Sequence, residues 1–192
     1  MRPLKYETRK EEIIQNAAVL FKEKGYSAVT MRDLAAKMGI KAASLYNHIS
    51  SKQEILSNII ISLAEEFTAG MNNIIDADDS SVDKLKQIVS LHVHITSNNQ
   101  YGMASLNNDW MHLNETLQHY LKLRKDYEDN FREIIKEGIN RKEFNNANPD
   151  ILLFSILSTL RSLYIWVPNK KDLKPDVLSS ELSAVLLNGL TR

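Results

Sequence analysis

Apolar residues recur at three- and four-residue intervals along nearly the whole chain, a spacing that predicts helices rather than strands. Ile13, Ile14, Ala17, Ala18 and Phe21 form one stripe, closed by Gly25, a residue suited to a helix C-terminus. Thr30 followed by Asp33 reads as the capped start of a short helix, Met31 to Met38, ended by Gly39. A second short helix, Ala42 to His48, follows at once. Ser51 and Glu54 then form a capping box at the head of a long helix, with Ile55, Leu56, Ile59, Ile60, Leu63 and Phe67 on one side.

Asp76-Ala-Asp-Asp-Ser-Ser reads as a loop, and helices are expected over 82–98, 103–111 and 115–140. In the last of these, Leu117, Leu121, Phe131, Ile134 and Ile135 face inward. Arg141 to Asn146 is a turn, and Asn148-Pro149 supplies an N-cap with proline at the first helical position. Residues 150–167 are apolar almost all round, so this helix needs cover on several sides. After a Pro168–Pro175 loop, Leu178, Leu182, Val185 and Leu186 mark a final amphipathic helix over 176–189. Strand alternation, repeats and low-complexity tracts are absent from the sequence, and the expected fold class is all-α.

The 192 residues suffice for a real core, and the lack of cysteine excludes disulfides, Cys-based zinc sites and thiol nucleophiles. The opening MRPLKYETRKEE has no apolar signal-peptide region, and no later stretch reads as about 18 uninterrupted apolar residues. The expectation is a soluble, cytoplasmic protein with no membrane partner. Formal net charge is zero, but residues 1–55 hold ten Lys/Arg against six Asp/Glu, a net of +4, and the remainder carries −4. A basic head on an acidic body fits a nucleic-acid partner at one end.

Two short helices joined at Gly39 have the dimensions of a helix-turn-helix, whose second helix enters the DNA major groove. Ala42 and Ala43 would permit close approach to base edges; Ser44, Tyr46 and His48 offer side-chain donors, and Lys41 and Lys52 bracket the helix with positive charge. An ordinary three-helix cluster has the same outline, with Tyr46 as a core aromatic. From Ile13 to Leu56 the chain reads A-A-x-L-F-x-E-K-G-Y-x-x-V-T-M-R-D-L-A-x-K-M-G-I, then Ser-Leu-Tyr-Asn-His-Ile, then Ser-Lys-Gln-Glu-Ile-Leu. Over about 45 residues this resembles the N-terminal domain of the TetR family of transcriptional repressors. The resemblance implies a DNA-binding domain over 1–51 and a helical ligand-binding and dimerisation domain over 52–192. It implies backbone and base contacts by Thr30 and Arg32, groove-facing Ala42, Ala43 and Asn47, and phosphate contacts by Ser44, Tyr46, His48 and Lys52. Leu45 and Ile49 are read as core. The chain departs from the family at Lys41, where Ser or Thr usually caps the recognition helix; the cap is lost, at about 1 kcal/mol, and a charge near phosphate is gained.

Such regulators are expected to bind palindromic double-stranded DNA as homodimers. The dimerisation candidates are Ile156, Leu160, Leu163, Leu178, Leu182, Val185 and Leu186, on helices that would form a four-helix bundle with their symmetry mates; the alternative for 150–167 is a core helix of one chain. Candidate effector-pocket residues are Met103, Leu106, Trp110, Met111, Tyr120, Tyr127, Phe131, Arg161, Tyr164 and Trp166. Arg161, within so apolar a segment, needs an anionic partner, either an acidic side chain or a ligand carboxylate or phosphate. The region from Asp109-Trp110 to Trp166-Val-Pro also resembles TetR-family regulators of fatty-acid, sterol and phenylacetate breakdown, which implies a small amphipathic effector of acyl-CoA type. His92 and His94 lie roughly 200° apart on a helix and cannot readily share one ion. Asp109-x-x-His112 and Glu115-x-x-x-His119 lack the paired pattern of a di-iron bundle. No phosphate loop or nucleophile elbow occurs in the sequence, so neither an enzyme nor a cofactor is expected. A metal-binding or enzymatic bundle, and a DNA-binding protein without a ligand, are the rival readings.

Overall fold

The computed structural model describes residues 8–170 and 172–189, and within them regular structure is entirely helical. α1 (Arg9–Lys24) starts at Thr8, whose side chain and that of Glu11 cap each other's backbone, and ends at Gly25. α2 (Met31–Lys37) opens on the expected reciprocal box: Asp33 N–H donates to Thr30 Oγ1 at 3.1 Å, and Thr30 N–H to Asp33 Oδ2 at 2.8 Å. Gly39 turns the chain with φ +66°, a conformation that side-chain-bearing residues rarely adopt.

α3 is shorter than its expected span to His48. Regular helix covers only Ala42–Leu45, and Lys41 contributes no capping bond. A turn continues it, with the N–H groups of His48 and Ile49 both reaching Leu45 O at 2.9 and 3.0 Å. α4 (Lys52–Asp76) shows half of the expected capping box. Glu54 N–H donates to Ser51 Oγ at 3.0 Å, but the Glu54 carboxylate turns away to accept from Ser50 N–H, Ser50 Oγ and Lys10 Nζ at 2.7, 2.7 and 2.8 Å. Three donors, one of them charged, outcompete one backbone N–H.

The chain forms two compact units, Met1–Leu63 with Tyr101–Tyr120, and Ala64–Gln100 with Leu121–Arg192. They are not the contiguous stretches that a boundary at 51/52 would give, because α4 and α7 (Leu117–Asn140) each run through both. In the first unit Ile13, Ala17, Phe21, Leu34, Leu45, Ile49, Ile55 and Leu56 are buried, as are Met103 and Ala104 of α6. α6 spans Gln100–Asn108, followed by a 3-10 turn at Trp110–His112, where one helix over 103–111 was expected.

The second unit is built on α5 (Ser81–Asn98), which buries Leu85, Ile88, Val89, His92 and Val93 and packs on α8 (Pro149–Arg161), α9 (Leu163–Trp166) and α10 (Pro175–Asn188). The expected single helix over 150–167 breaks at Ser162, whose hydroxyl donates back to Ser158 O at 2.8 Å, a bond that competes with the helical ladder. By length and composition Pro149–Asn169 is apolar enough to cross a membrane, although Asp150 and Arg161 interrupt it, so it is not the uninterrupted apolar run whose absence the sequence predicts. The break at Ser162, the ion-paired Arg161, and the burial of Leu153, Ile156, Leu157, Leu160 and Leu163 are features of a helix packed in protein.

Candidate functional site

α2, α3 and the turn after them share one exposed surface. Thr30, Arg32, Lys41, Ala43, Ser44, Tyr46, Asn47 and His48 are exposed and Ala42 is half-buried, while Leu34, Leu45 and Ile49 are buried. Tyr46 is 55% exposed, so it does not take the alternative role of core aromatic. A guanidinium and an amide on this surface match the edges of guanine and adenine, and its hydroxyls and Lys41 are suited to phosphate oxygens.

Lys52 departs from the sequence expectation. Its ammonium donates to Tyr26 O and Val29 O at 2.9 and 2.8 Å and lies 4.3 Å from the centre of the Tyr26 ring. These bonds occupy its donors on carbonyls around the 3-10 turn Tyr26–Ala28, so Lys52 fastens that turn to the start of α4 instead of reaching a phosphate. The same corner holds the segment after α6. Tyr26 stacks on His112 at 5.2 Å, Gln53 Nε2 donates to His112 O, the hydroxyls of Ser57 and Thr116 are 3.0 Å apart, and Lys22 Nζ sits 5.0 Å from the Tyr101 ring centre. Burial raises the carboxyl pKa of Asp109.

The expected pocket residues divide between the two units. Met103, Leu106, Trp110, Met111 and Tyr120 belong to the first unit, where Trp110 and Tyr120 lie 6.0 Å apart and Met111 is exposed. Tyr127, Phe131, Arg161, Tyr164 and Trp166 belong to the second. Phe131 is fully buried core, and Trp166 is 45% exposed, so neither stands where a pocket wall was expected. Arg161 has an internal partner: its Nη2 donates to Glu128 Oε1 at 2.6 Å, and Arg124 Nε reaches the same oxygen at 3.0 Å. Nearby, His92 Nε2 lies 2.9 Å from the Tyr127 hydroxyl, and Phe67 packs on both rings. Burial, aided by the charge of Arg161, holds the His92 imidazole down at about 3, so it is neutral at pH 7. Burial also raises the Tyr127 phenol. Sequence reasoning did not single out Glu128 and weighed His92 only as a metal ligand; their contacts depend on partners 33 and 35 residues away.

Two family models match the chain. One, for bacterial regulatory proteins of the tetR family, covers residues 13–59, and the other, for the tetracyclin repressor-like C-terminal domain, covers 78–190. The chain belongs to the TetR family. Its relatives include the HTH-type transcriptional repressor KstR2 of Mycolicibacterium smegmatis, 22% identical over 188 residues, or 96% of this chain and 92% of that protein. The biofilm operon regulator IcaR of Staphylococcus aureus is 38% identical over 84 residues, 42% of this chain and 43% of its own. Among solved structures, the ketosteroid transcriptional regulator KstR2 of Mycobacterium tuberculosis has a TM-score of 0.91 at 20% identity, covering 98% and 97% of the two chains. The TetR family regulator PfmR of Thermus thermophilus gives 0.81 at 26%, covering 94% and 99%.

This TetR-family chain is therefore a transcriptional regulator with a helix-turn-helix head. In its second unit Ile156, Leu160, Leu163 and Leu178 are buried within the chain, which corrects their expected place on a partner-facing surface. The outward side of α8–α10 carries Val185 of the expected set, at 70% exposure, together with Phe154 at 72%, Ile151, Ile165, Trp166 and Val177. A groove of about 490 Å³ between them is lined by Ser158, Thr159, Ser162, Leu163, Trp166, Leu178 and Leu182. Ile156, Leu160, Leu163 and Leu178 belong to the inward stripe of these helices, whereas Val185 faces outward and Leu182 and Leu186 are half-buried, because periodicity marks apolar faces without saying which the chain covers itself.

Proposed function

We propose that this regulator represses transcription as a cytoplasmic homodimer on a palindromic operator, and that a small amphipathic effector of acyl-CoA type releases it. The observation that carries the DNA reading is the exposed surface of Thr30, Arg32, Lys41, Ala43, Ser44 and Tyr46–His48, with Ala42 half-buried, over a buried Leu45 and Ile49. One such surface reads few base pairs, so two are needed, one helical turn of DNA apart. The exposed apolar face of α8–α10 supports pairing of two copies there. Effector entry shifts residues 82–111 and α4, changes the separation of the two recognition helices, and so weakens operator binding. Ligand and operator then oppose each other reciprocally, typically by about 1–3 kcal/mol.

A second reading, operator binding with no effector, is favoured by one observation: Arg161 is already paired with Glu128. Selection of bound DNA from a random pool, repeated with and without long-chain acyl-CoAs, separates the two. A palindrome retained without ligand and lost with it is the expected result; retention in both arms favours the second reading, and no enriched sequence sinks both. In the same assay Arg32→Ala relaxes preference at particular operator positions, and equal loss on every sequence would reject its base-reading role.

A further inference from the structure

Besides Ser81 Oγ, two polar atoms buried among the described residues of the second unit lack any hydrogen-bond partner: His92 Nδ1 and Thr96 Oγ1. Their residues are 3% and 0% exposed and stand one turn apart on α5, hence on one face of it. The other side of the His92 ring is occupied, with Nε2 2.9 Å from the Tyr127 hydroxyl and Phe67 4.6 Å from the ring centre. The Tyr127 hydroxyl has no second acceptor among the described residues, which favours donation of its proton to Nε2. In that tautomer the neutral ring carries its own proton on Nδ1, a donor with nothing to donate to. Thr96 does not bond back to the carbonyl one turn earlier, as helical threonines often do. Unsatisfied buried groups of this kind mark a place where an occupant supplies the missing partner.

The charges around this corner bear on what that occupant is. Arg161, the cation whose field reaches His92 and Tyr127, is bonded to Glu128. An anion brought to His92 would give up its hydration and have to share Arg161 with the Glu128 carboxylate. An uncharged oxygen needs none, and it can accept from both the Nδ1–H and the threonine hydroxyl.

We propose that His92 and Thr96 read the buried end of the effector, and that this end carries a neutral oxygen acceptor, a ketone or ester carbonyl or a hydroxyl, and not a carboxylate. The inference rests on the effector reading above and names the chemistry of that ligand's inner pole; a charged carrier group would stay outside. The test uses the full chain, with 2-decanone and decanoate as probes of equal length. Calorimetry and the imidazole ¹⁵N signals of His92 are the readouts. The ketone is expected to bind about tenfold more tightly than the acid and to move the Nδ1 signal, since a site built to hydrogen-bond one group rejects its substitute. His92→Phe and Thr96→Val each abolish that preference while operator binding, which reports an intact fold, is retained. Equal or tighter decanoate binding, a ketone affinity indifferent to both variants, a resting proton on Nε2, or no binding of either probe would overturn the proposal. Operator release by decanoate leaves the effector reading standing and removes this one. A ketone bound through His92 without effect on operator affinity does the reverse.

Discussion

Lys52 illustrates how a residue's neighbours decide what its charge does. At the N-terminus of α4, beside a DNA-reading turn, a lysine has the sequence position of a phosphate ligand. Its ammonium instead satisfies Tyr26 O and Val29 O and covers the Tyr26 ring. Lys52→Met removes the side-chain donor from Val29 O and leaves Tyr26 O only the N–H of Val29, at about 1–3 kcal/mol for an unsatisfied group. The expected outcome is a lower urea midpoint with the salt dependence of operator binding unchanged. A salt slope reduced by about one, at full stability, would restore the phosphate role.

At the scale of the element, Glu54 joins three pieces of the head: Lys10 of α1, Ser50 in the turn after α3, and the first turn of α4. The Lys10 ammonium, then the backbone and hydroxyl of Ser50, lower its carboxyl pKa from 4.5 to about 2. Because the folded value lies below the unfolded one, this stabilisation is complete above about pH 4.5 and is lost as pH falls toward about 2. Urea midpoints of the chain and of Glu54→Gln should therefore differ most at neutral pH and converge in acid. A constant gap across that window would show that the carboxylate's charge is not what joins the elements.

For the whole molecule, the exposed side of α8–α10 places Phe154, Ile151, Ile165, Trp166 and Val185 in water, an apolar patch of the kind that marks an association surface. Phe154→Glu puts a charge where pairing would desolvate it. The dissociation constant of the proposed dimer should rise roughly thirtyfold, at least about 2 kcal/mol, with the helical content intact. Light scattering checks this, and operator affinity should fall with the dimer. A dimer of unchanged strength would move the interface elsewhere on the chain.

The head was legible in the sequence because its structure is made locally. Reciprocal caps at Thr30–Asp33, a left-handed glycine at 39, and the alternation of buried Leu45 and Ile49 with exposed Ser44 and Tyr46 all involve residues within a few positions of each other. The family pattern over Ile13–Leu56 rests on that same local set. The body was legible as helices but not as a site. Whether Arg161 meets a ligand or Glu128, which side of α8 faces inward, and that His92 lies with Tyr127 are settled by residues tens of positions apart. Helical periodicity reports that a face is apolar, and only tertiary packing decides what covers it. Local hydrogen bonding and periodic burial therefore determined the fold class and the reading head from sequence alone, whereas long-range contacts, invisible to spacing, decided that Arg161 meets Glu128 and His92 meets Tyr127.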